Sequence, residues 1–247
     1  MRLRGATIAI FGLLALSPGG ALAQPGHGPR EDIDQTFTSA RPSTPTGVGW
    51  RGVYHAAGNR HGKPPYLRRM VFYPPKGMRL DTGVPARCTA PDAVLQVEGP
   101  AACPAGSQIA VGSTDGYIYD PIAQLVTIDR FHHTIYVMNG ANEQIILVKA
   151  EGYAVVRGKV RPDGTQDFRL PTCFPEPPTG CLTDHVLQTG SQTKLARYTR
   201  AVNGRVRSYA TTPPRCPKSG YWRTRVRYWW KGGAVDTVVT KQRCRRG

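Results

Sequence analysis

The most distinctive chemistry in this sequence belongs to arginines that alternate with large apolar residues near its end. The segment Tyr221–Trp230 reads YWRTRVRYWW. Successive side chains of a β-strand point to opposite faces, so a strand here would carry its arginines on one face and most of its aromatic residues on the other. The aromatic face is predicted to be core, since a hairpin needs such packing to be stable.

Guanidinium groups match phosphate and carboxylate groups with two parallel hydrogen bonds, so this face predicts an anion-binding site. Trp229, on the arginine side, could stack on a sugar or a base. The alternative is a solvated surface on which arginine stems cover apolar residues. The predicted anion-binding residues are Arg223, Arg225, Arg227, Arg243, Arg245 and Arg246, with Lys241 nearby and Arg200, Arg205 and Arg207 as a possible extension.

The positive charge of the chain is concentrated in the same region. Residues 1–186 hold 18 Lys and Arg against 15 Asp and Glu, whereas residues 187–247 hold 15 against the single acid Asp236. The balance is therefore +3 in the first part and +14 in the second, out of a total of +17. Such asymmetry concerns partners and association rather than fold, and it favours a polyanionic partner.

Two Asp–His groupings could support general base chemistry or hold a metal. Asp129 stands near His132 and His133, and Asp184 precedes His185. Neither grouping has an accompanying nucleophile motif, because the chain contains no G-x-S-x-G and no H-E-x-x-H. We therefore expect ordinary strand or loop residues here, and no catalytic residue is assigned.

The segment Ser113–Asp120 has oxygen-bearing side chains at spacings that could suit calcium. It lacks the density of acids and the terminal Glu of an EF-hand loop, so a β-turn with flanking tyrosines is the favoured interpretation. No phosphate-binding glycine loop or dinucleotide motif occurs. We expect neither a metal site nor a cofactor.

The elements that must position these residues begin after a predicted export signal. Arg2 and Arg4 precede an apolar run, Ala6–Leu16, and Ala21–Ala23 forms a small-x-small cleavage site. This order is typical of a secretory signal peptide over residues 1–23, cut after Ala23. The apolar run is too short to span a bilayer, and no later stretch approaches the ~20 apolar residues needed. We therefore expect a secreted or extracytoplasmic protein that does not span a membrane.

Six cysteines follow the predicted cleavage site, in a compartment where disulfides persist. They form no C-x₂₋₄-C pair, which disfavours zinc. Six cysteines allow 15 connectivities, and locality alone suggests sequential pairs. The predicted bridges are Cys88–Cys103, Cys173–Cys181 and Cys216–Cys244.

The rest of the chain has the pattern of short strands separated by turns. Predicted strands include Leu67–Tyr73, Tyr221–Trp230 and Val235–Thr240, and no helical periodicity exceeds two turns. Asn139-Gly140 and Asn203-Gly204 are typical hairpin turns. We expect an all-β fold, an antiparallel β-sandwich (immunoglobulin-like or jelly-roll-like) stapled by about three disulfides.

The domain organisation follows from composition. Residues 24–49 are polar and rich in Pro, Gly, Ser and Thr, and they predict a disordered linker. Residues 50–247 then form a single domain that ends in a basic hairpin over 216–244.

Three cysteine-bearing segments carry a resemblance to a known group of proteins. They are a Pro-x-Gly turn at 75–77 before Cys88, the segment CPAGSQI at 103–109, and the hairpin between Cys216 and Cys244. Over about residues 65–247 the chain resembles uncharacterised exported, β-rich proteins of high-GC actinobacteria. The resemblance implies secretion and a sandwich-like fold, and no activity.

These observations predict a non-catalytic binding or structural protein of the cell envelope. Its basic C-terminal region would contact an anionic cell-wall polymer, a polysaccharide or lipid headgroups, and export excludes chromosomal DNA. The alternatives are a hydrolase acting on envelope polymer through the Asp–His groupings and a protein–protein interaction module. The sequence leaves the oligomeric state open.

Overall fold

A computed structural model of the protein describes residues 29–120, 125–170, 174–176, 180–182 and 185–245. The predicted signal peptide, Cys173, Asp184 and Arg246 lie outside these described residues. In chain order the elements are β1 (Glu31–Phe37), β2 (Val48–Tyr54), β3 (Leu67–Tyr73), β4 (Arg79–Leu80), α1 (Asp92–Glu98), a 3-10 turn (Gly99–Ala102), β5 (Gln108–Asp120), β6 (Leu125–Gly140), β7 (Glu143–Lys149), β8 (Tyr153–Val160), β9 (Gln166–Arg169), β10 (Phe174–Glu176), β11 (Gly180–Leu182), β12 (His185–Leu195), β13 (Thr199–Val202), β14 (Arg205–Ser208), β15 (Ala210–Thr211), β16 (Tyr221–Trp230) and β17 (Val235–Arg243).

Eleven of these strands form one antiparallel sheet in the order β1-β2-β12-β5-β6-β7-β8-β9-β3-β16-β17. The remaining strands form three two-stranded ribbons, β10–β11, β13–β14 and β4–β15. The prediction of an all-β, antiparallel fold is confirmed. The finer prediction of a sandwich is not, because the eleven strands are hydrogen-bonded into one sheet rather than two stacked ones.

The two edge strands of this sheet, β1 and β17, lie beside each other, so the sheet is nearly barrel-shaped. The backbone N–H of Phe37 donates to Gln242 Oε1 at 2.8 Å, and Arg30 Nη1 lies 2.8 Å from Asp236 Oδ2. Two side-chain bonds join β16 to β1 on the inner side of this seam, from Thr224 Oγ1 to Gln35 Oε1 and from Trp230 Nε1 to Glu31 Oε1. Side chains, rather than a backbone ladder, thus bring the edges together and cover backbone groups that an open edge would expose.

Strand β16 shows how the sequence sets the two faces of the sheet. Trp222, Thr224, Val226, Tyr228 and Trp230 are buried and point inward, and the arginines between them are exposed. The predicted assignment of the faces is confirmed. Strands β2 and β3 contribute Tyr54 and Leu67 to the same inward cluster.

Helix α1 covers the outer face of the sheet over β6, β7 and β8. Helix α1 buries Leu95 there against Ile145 and Leu147, all fully buried. The helix ends at Gly99, whose φ of +61° favours glycine and where a Cβ would lie 2.2 Å from the Tyr153 ring. Because the helix covers the outer face of β7 and the interior of the barrel lies on its other face, β7 is apolar on both faces.

The predicted disordered linker over residues 24–49 is wrong from residue 29 onward. Glu31–Phe37 forms β1, and β2 begins at Val48. Composition misled the prediction because polar side chains here are held by long-range partners: Gln35 pairs with Thr224, and Glu31 accepts a bond from Trp230 Nε1. The composition of a short segment does not show which distant residues its side chains will contact.

The predicted turns are partly confirmed. Asn203-Gly204 connects β13 and β14 with φ values of +51° and +72°, as a two-residue hairpin turn requires. Asn139-Gly140, in contrast, pairs with Gln144 and Glu143 inside the ladder, and the turn is formed by Ala141 and Asn142. The Asn139 side chain is fully buried and donates to the carbonyls of Thr82 and Ala86, which holds it in the strand.

Two of the three predicted disulfides are present among the described residues. Cys88–Cys103 closes the loop that carries α1, and Cys216–Cys244 closes the open end of the β16–β17 hairpin. Cys173 lies outside the described residues, so the third predicted bridge, Cys173–Cys181, stays a prediction.

Candidate functional site

The outward side chains of the β16–β17 hairpin form a positively charged surface, which we call the basic face: Arg223, Arg225, Arg227, Lys241 and Arg243. The register sets Arg223 opposite Lys241 and Tyr221 opposite Arg243. All five cationic side chains are exposed. The structure therefore brings together four of the six arginines predicted from the sequence.

Aromatic rings lie between these charges. The Arg225 guanidinium carbon lies 4.3 Å from the ring centre of Tyr73 on β3. Trp229 is flanked by two arginines, with the guanidinium carbons of Arg69 at 4.7 Å and Arg227 at 4.9 Å from its ring. Cation–π contacts of this kind hold an arginine stem in place while its N–H donors stay available to a ligand.

Two acids near the basic face are turned inward or already paired. Asp236 points to the inner side, where it accepts bonds from Arg30 Nη1 at 2.8 Å and Trp230 Nε1 at 2.9 Å. On β9, Asp167 accepts two bonds from Arg69, at 2.6 and 2.8 Å, and these bonds hold the pKa of Asp167 below its ordinary value.

The next strand round the barrel, β1, carries two exposed carboxylates. Asp32 pairs with Arg60 at 3.1 Å, and Asp34 is exposed and stands opposite Arg51 in the ladder. Within the described part of the chain, no carboxylate forms an ion pair with Arg223, Arg225 or Arg227. Among the described residues, these three guanidinium groups therefore have no ion-pair partner.

The remaining predicted arginines behave differently. Arg245 is exposed just beyond the disulfide, where its backbone N–H donates to Ala40 O at 2.8 Å, and Arg246 is not described. Arg200, Arg205 and Arg207 belong to the separate β13–β14 ribbon, and Arg207 is engaged by Asp81. They do not extend the ladder of the basic face.

The Asp–His groupings are dispersed along strands. His132 Nδ1 lies 2.7 Å from Asp115 Oδ1 on β5, and both side chains are more than half exposed. His133 points the other way and stacks on Phe131, and its pKa is lowered by burial and by the neighbouring His132. The side chains of Asp129 and His185 fall outside the description. No Ser, Thr or Cys in the described ranges hydrogen-bonds His132, so the pair with Asp115 is a hydrogen bond at the surface.

The segment Ser113–Asp120 is the second half of β5, so the favoured β-turn is wrong. Neighbouring side chains of a strand diverge, so Thr114 faces inward while Ser113 and Asp115 do not. Nowhere in the described chain do three His, Cys, Asp or Glu side chains cluster as a metal site. None of the described helical segments has the length and hydropathy to span a membrane.

Sequence reasoning missed a cavity of about 610 Å³ inside the sheet. Every strand of the main sheet except β17 contributes to its wall. Apolar and aromatic side chains line most of it, among them Trp50, Phe72, Ile135, Ile146 and Phe168. The only sequence signal was the mixture of small, polar and apolar residues at inward positions, such as Ala110 and Thr114 on β5.

No protein-family model, no curated protein and no solved structure matches this chain.

Proposed function

We propose that the protein is a non-catalytic binding protein that attaches to anionic polymers outside the cytoplasm through the basic face. The observation that carries the proposal is the row of exposed arginines on β16 whose charges no described carboxylate neutralises. The one acid of residues 187–247 points inward and is bound by Arg30.

The geometry favours a ligand with repeated negative groups. Alternate residues of a strand lie about 6.8 Å apart, so Arg223, Arg225 and Arg227 present three guanidinium groups in a straight row. Each guanidinium can hold one phosphate or carboxylate with two hydrogen bonds. Trp229 adds a partly exposed ring, on which a sugar could stack beside the charged groups.

The disulfides agree with the proposed location. The structure contains the disulfides Cys88–Cys103 and Cys216–Cys244. Disulfides persist in oxidising compartments and are rare in cytosolic proteins. Together with the export signal proposed for residues 1–23, they support placement at the cell envelope or beyond it. The proposed ligands are an anionic cell-wall polymer or an acidic polysaccharide, and lipid headgroups are the alternative anion.

Salt elution from immobilised dextran sulfate tests this proposal. We expect Arg223→Gln/Arg225→Gln/Arg227→Gln to elute at clearly lower salt than the wild type, because exposed charge interactions are screened by ions. The matched control is Arg79→Gln/Arg200→Gln/Arg205→Gln, which also removes three positive charges, but from exposed positions outside the basic face.

Elution of the control with the wild type, and of the test variant before it, supports the basic face. If both triple variants shift equally, net charge alone explains retention and the proposed site is wrong. Sedimentation with vesicles containing an anionic lipid, compared with binding to soluble dextran sulfate, separates a headgroup ligand from a polymer.

A further inference from the structure

The interior cavity is too large to be a packing defect. Protein interiors hold few voids larger than a water molecule. The space here is about 610 Å³, within the ~300–1,000 Å³ typical of small-molecule sites. Its walls are strands from opposite sides of the barrel, so the cavity could collapse only if the barrel-shaped sheet flattened.

The chemistry of the wall defines what would fit inside. Three aromatic rings lie side by side along the wall: the ring centres of Trp50 and Phe72 are 4.6 Å apart, and those of Phe72 and Phe168 are 6.0 Å apart. Aliphatic side chains such as Ile135 and Ile146 continue the surface. A wall of this composition favours an apolar molecule over water.

Apart from Glu151, the polar side chains of the wall are amides, hydroxyls and the His133 ring, and two of the amides have hydrogen-bond partners within the protein. Gln188 Nε2 donates to Thr114 Oγ1 at 2.9 Å, and Gln144 Nε2 donates to Tyr209 Oη at 2.8 Å. His133 stacks on Phe131 in the same wall. Amide and hydroxyl groups can bind one hydrogen-bonding group of a ligand, but they cannot balance a buried charge.

Glu151 is the one carboxylate of the wall, and it is exposed in the turn between β7 and β8. The cavity therefore reaches solvent near that turn, and its charge lies at the rim rather than inside. The described wall contains no Lys or Arg.

We propose that this cavity is a binding site for a neutral, mainly apolar small molecule that carries a hydrogen-bonding group. The site is separate from the basic face, which lies on the outside of the sheet, so the protein would carry an apolar ligand inside while its outer face is attached to a polyanion. The two sites differ in their response to salt, because only the outer one depends on exposed charge.

The test uses the neutral dye N-phenyl-1-naphthylamine, whose fluorescence rises in apolar surroundings. We expect saturable binding of one dye per chain, unchanged by salt and by Arg223→Gln/Arg225→Gln/Arg227→Gln. Ile146→Trp, which adds volume at a half-buried wall position, should weaken binding about tenfold or more. The control Val206→Trp, at a position 75% exposed on the β13–β14 ribbon, should bind like the wild type.

If Ile146→Trp does not unfold cooperatively, Ala154→Leu supplies a smaller filling at another wall position. Competition in the unmodified protein tests the neutrality of the ligand without any variant: 1-decanol should displace the dye, and decanoate should do so much less well. The proposal is overturned if dye binding is not saturable, if a folded filling variant binds as tightly as the wild type, or if decanoate is the better competitor.

Discussion

Glu31 offers the sharpest test of the arrangement that joins the edges of the sheet. The side chain is 1% exposed, its Oε1 accepts a bond from Trp230 Nε1 at 3.0 Å, and its Oε2 is buried without a hydrogen-bond partner among the described residues. Burial and, to a smaller extent, the negative charge of Asp236 raise the pKa of Glu31 to about 8. The carboxyl group is therefore protonated in the folded protein at neutral pH.

The pH dependence of stability follows from this pKa. Between pH 5 and pH 8 the folded protein holds a proton at Glu31 that the unfolded chain releases, so the free energy of unfolding falls as pH rises. The contribution is complete below the unfolded pKa of about 4.3 and is lost as pH passes 8. At about 1.4 kcal/mol per pH unit, the three units from pH 5 to 8 correspond to an upper value of about 4 kcal/mol.

Urea unfolding followed by tryptophan fluorescence measures this contribution. Glu31→Gln keeps an acceptor for Trp230 and cannot titrate, so the difference in unfolding free energy between variant and wild type isolates the Glu31 proton. We expect that difference to move in favour of the variant by about 3 to 4 kcal/mol between pH 5 and pH 8.

Asp34→Asn is the matched control, because it removes an exposed carboxylate from the same strand. Its stability should follow the wild type across the whole pH range. A difference between Glu31→Gln and wild type that stays constant from pH 5 to pH 8 would show that Glu31 is not buried in its neutral form, and would refute the seam described for β1 and β17.

Two further perturbations test the hairpins. Removing the disulfide of the final hairpin, with Cys216→Ser/Cys244→Ser, should lower the free energy of unfolding by about 3 to 4 kcal/mol in the chain-entropy model, measured by urea titration against the wild type. An unchanged midpoint would contradict that stabilisation. Asn142 has a φ of +58° in the β6–β7 turn, so Asn142→Val should cost about 1 to 2 kcal/mol, whereas Asn142→Gly should stay close to wild type in thermal unfolding. Equal melting temperatures for the two variants would argue against the observed turn.

Local patterns in the sequence were enough for several elements. Strands β3 and β16 have the predicted bounds, because apolar residues and flanking turn residues mark both ends. Alternation in β16 also set the arginines outside and the aromatic residues inside, since a strand has a side-chain period of two. Cys88–Cys103 and Cys216–Cys244 followed from proximity along the chain.

Other features depend on partners that are remote in sequence. Strand β1 is stabilised by residues about 200 positions away, as in the pair Glu31–Trp230, whereas its own polar composition predicted a linker. His132 meets Asp115, 17 positions earlier in the chain, because the β5–β6 register sets its neighbours.

The basic surface was visible in the sequence as three alternating arginines in a region with a single acid. Only the tertiary structure decided that this acid, Asp236, points inward to Arg30, so that no described carboxylate pairs with the arginines of β16. The interior cavity depended on tertiary structure alone, because it is the space enclosed by ten strands that come from widely separated parts of the chain. Sequence periodicity fixes which way each side chain points, and only the closure of the sheet determines how far apart the opposing walls lie.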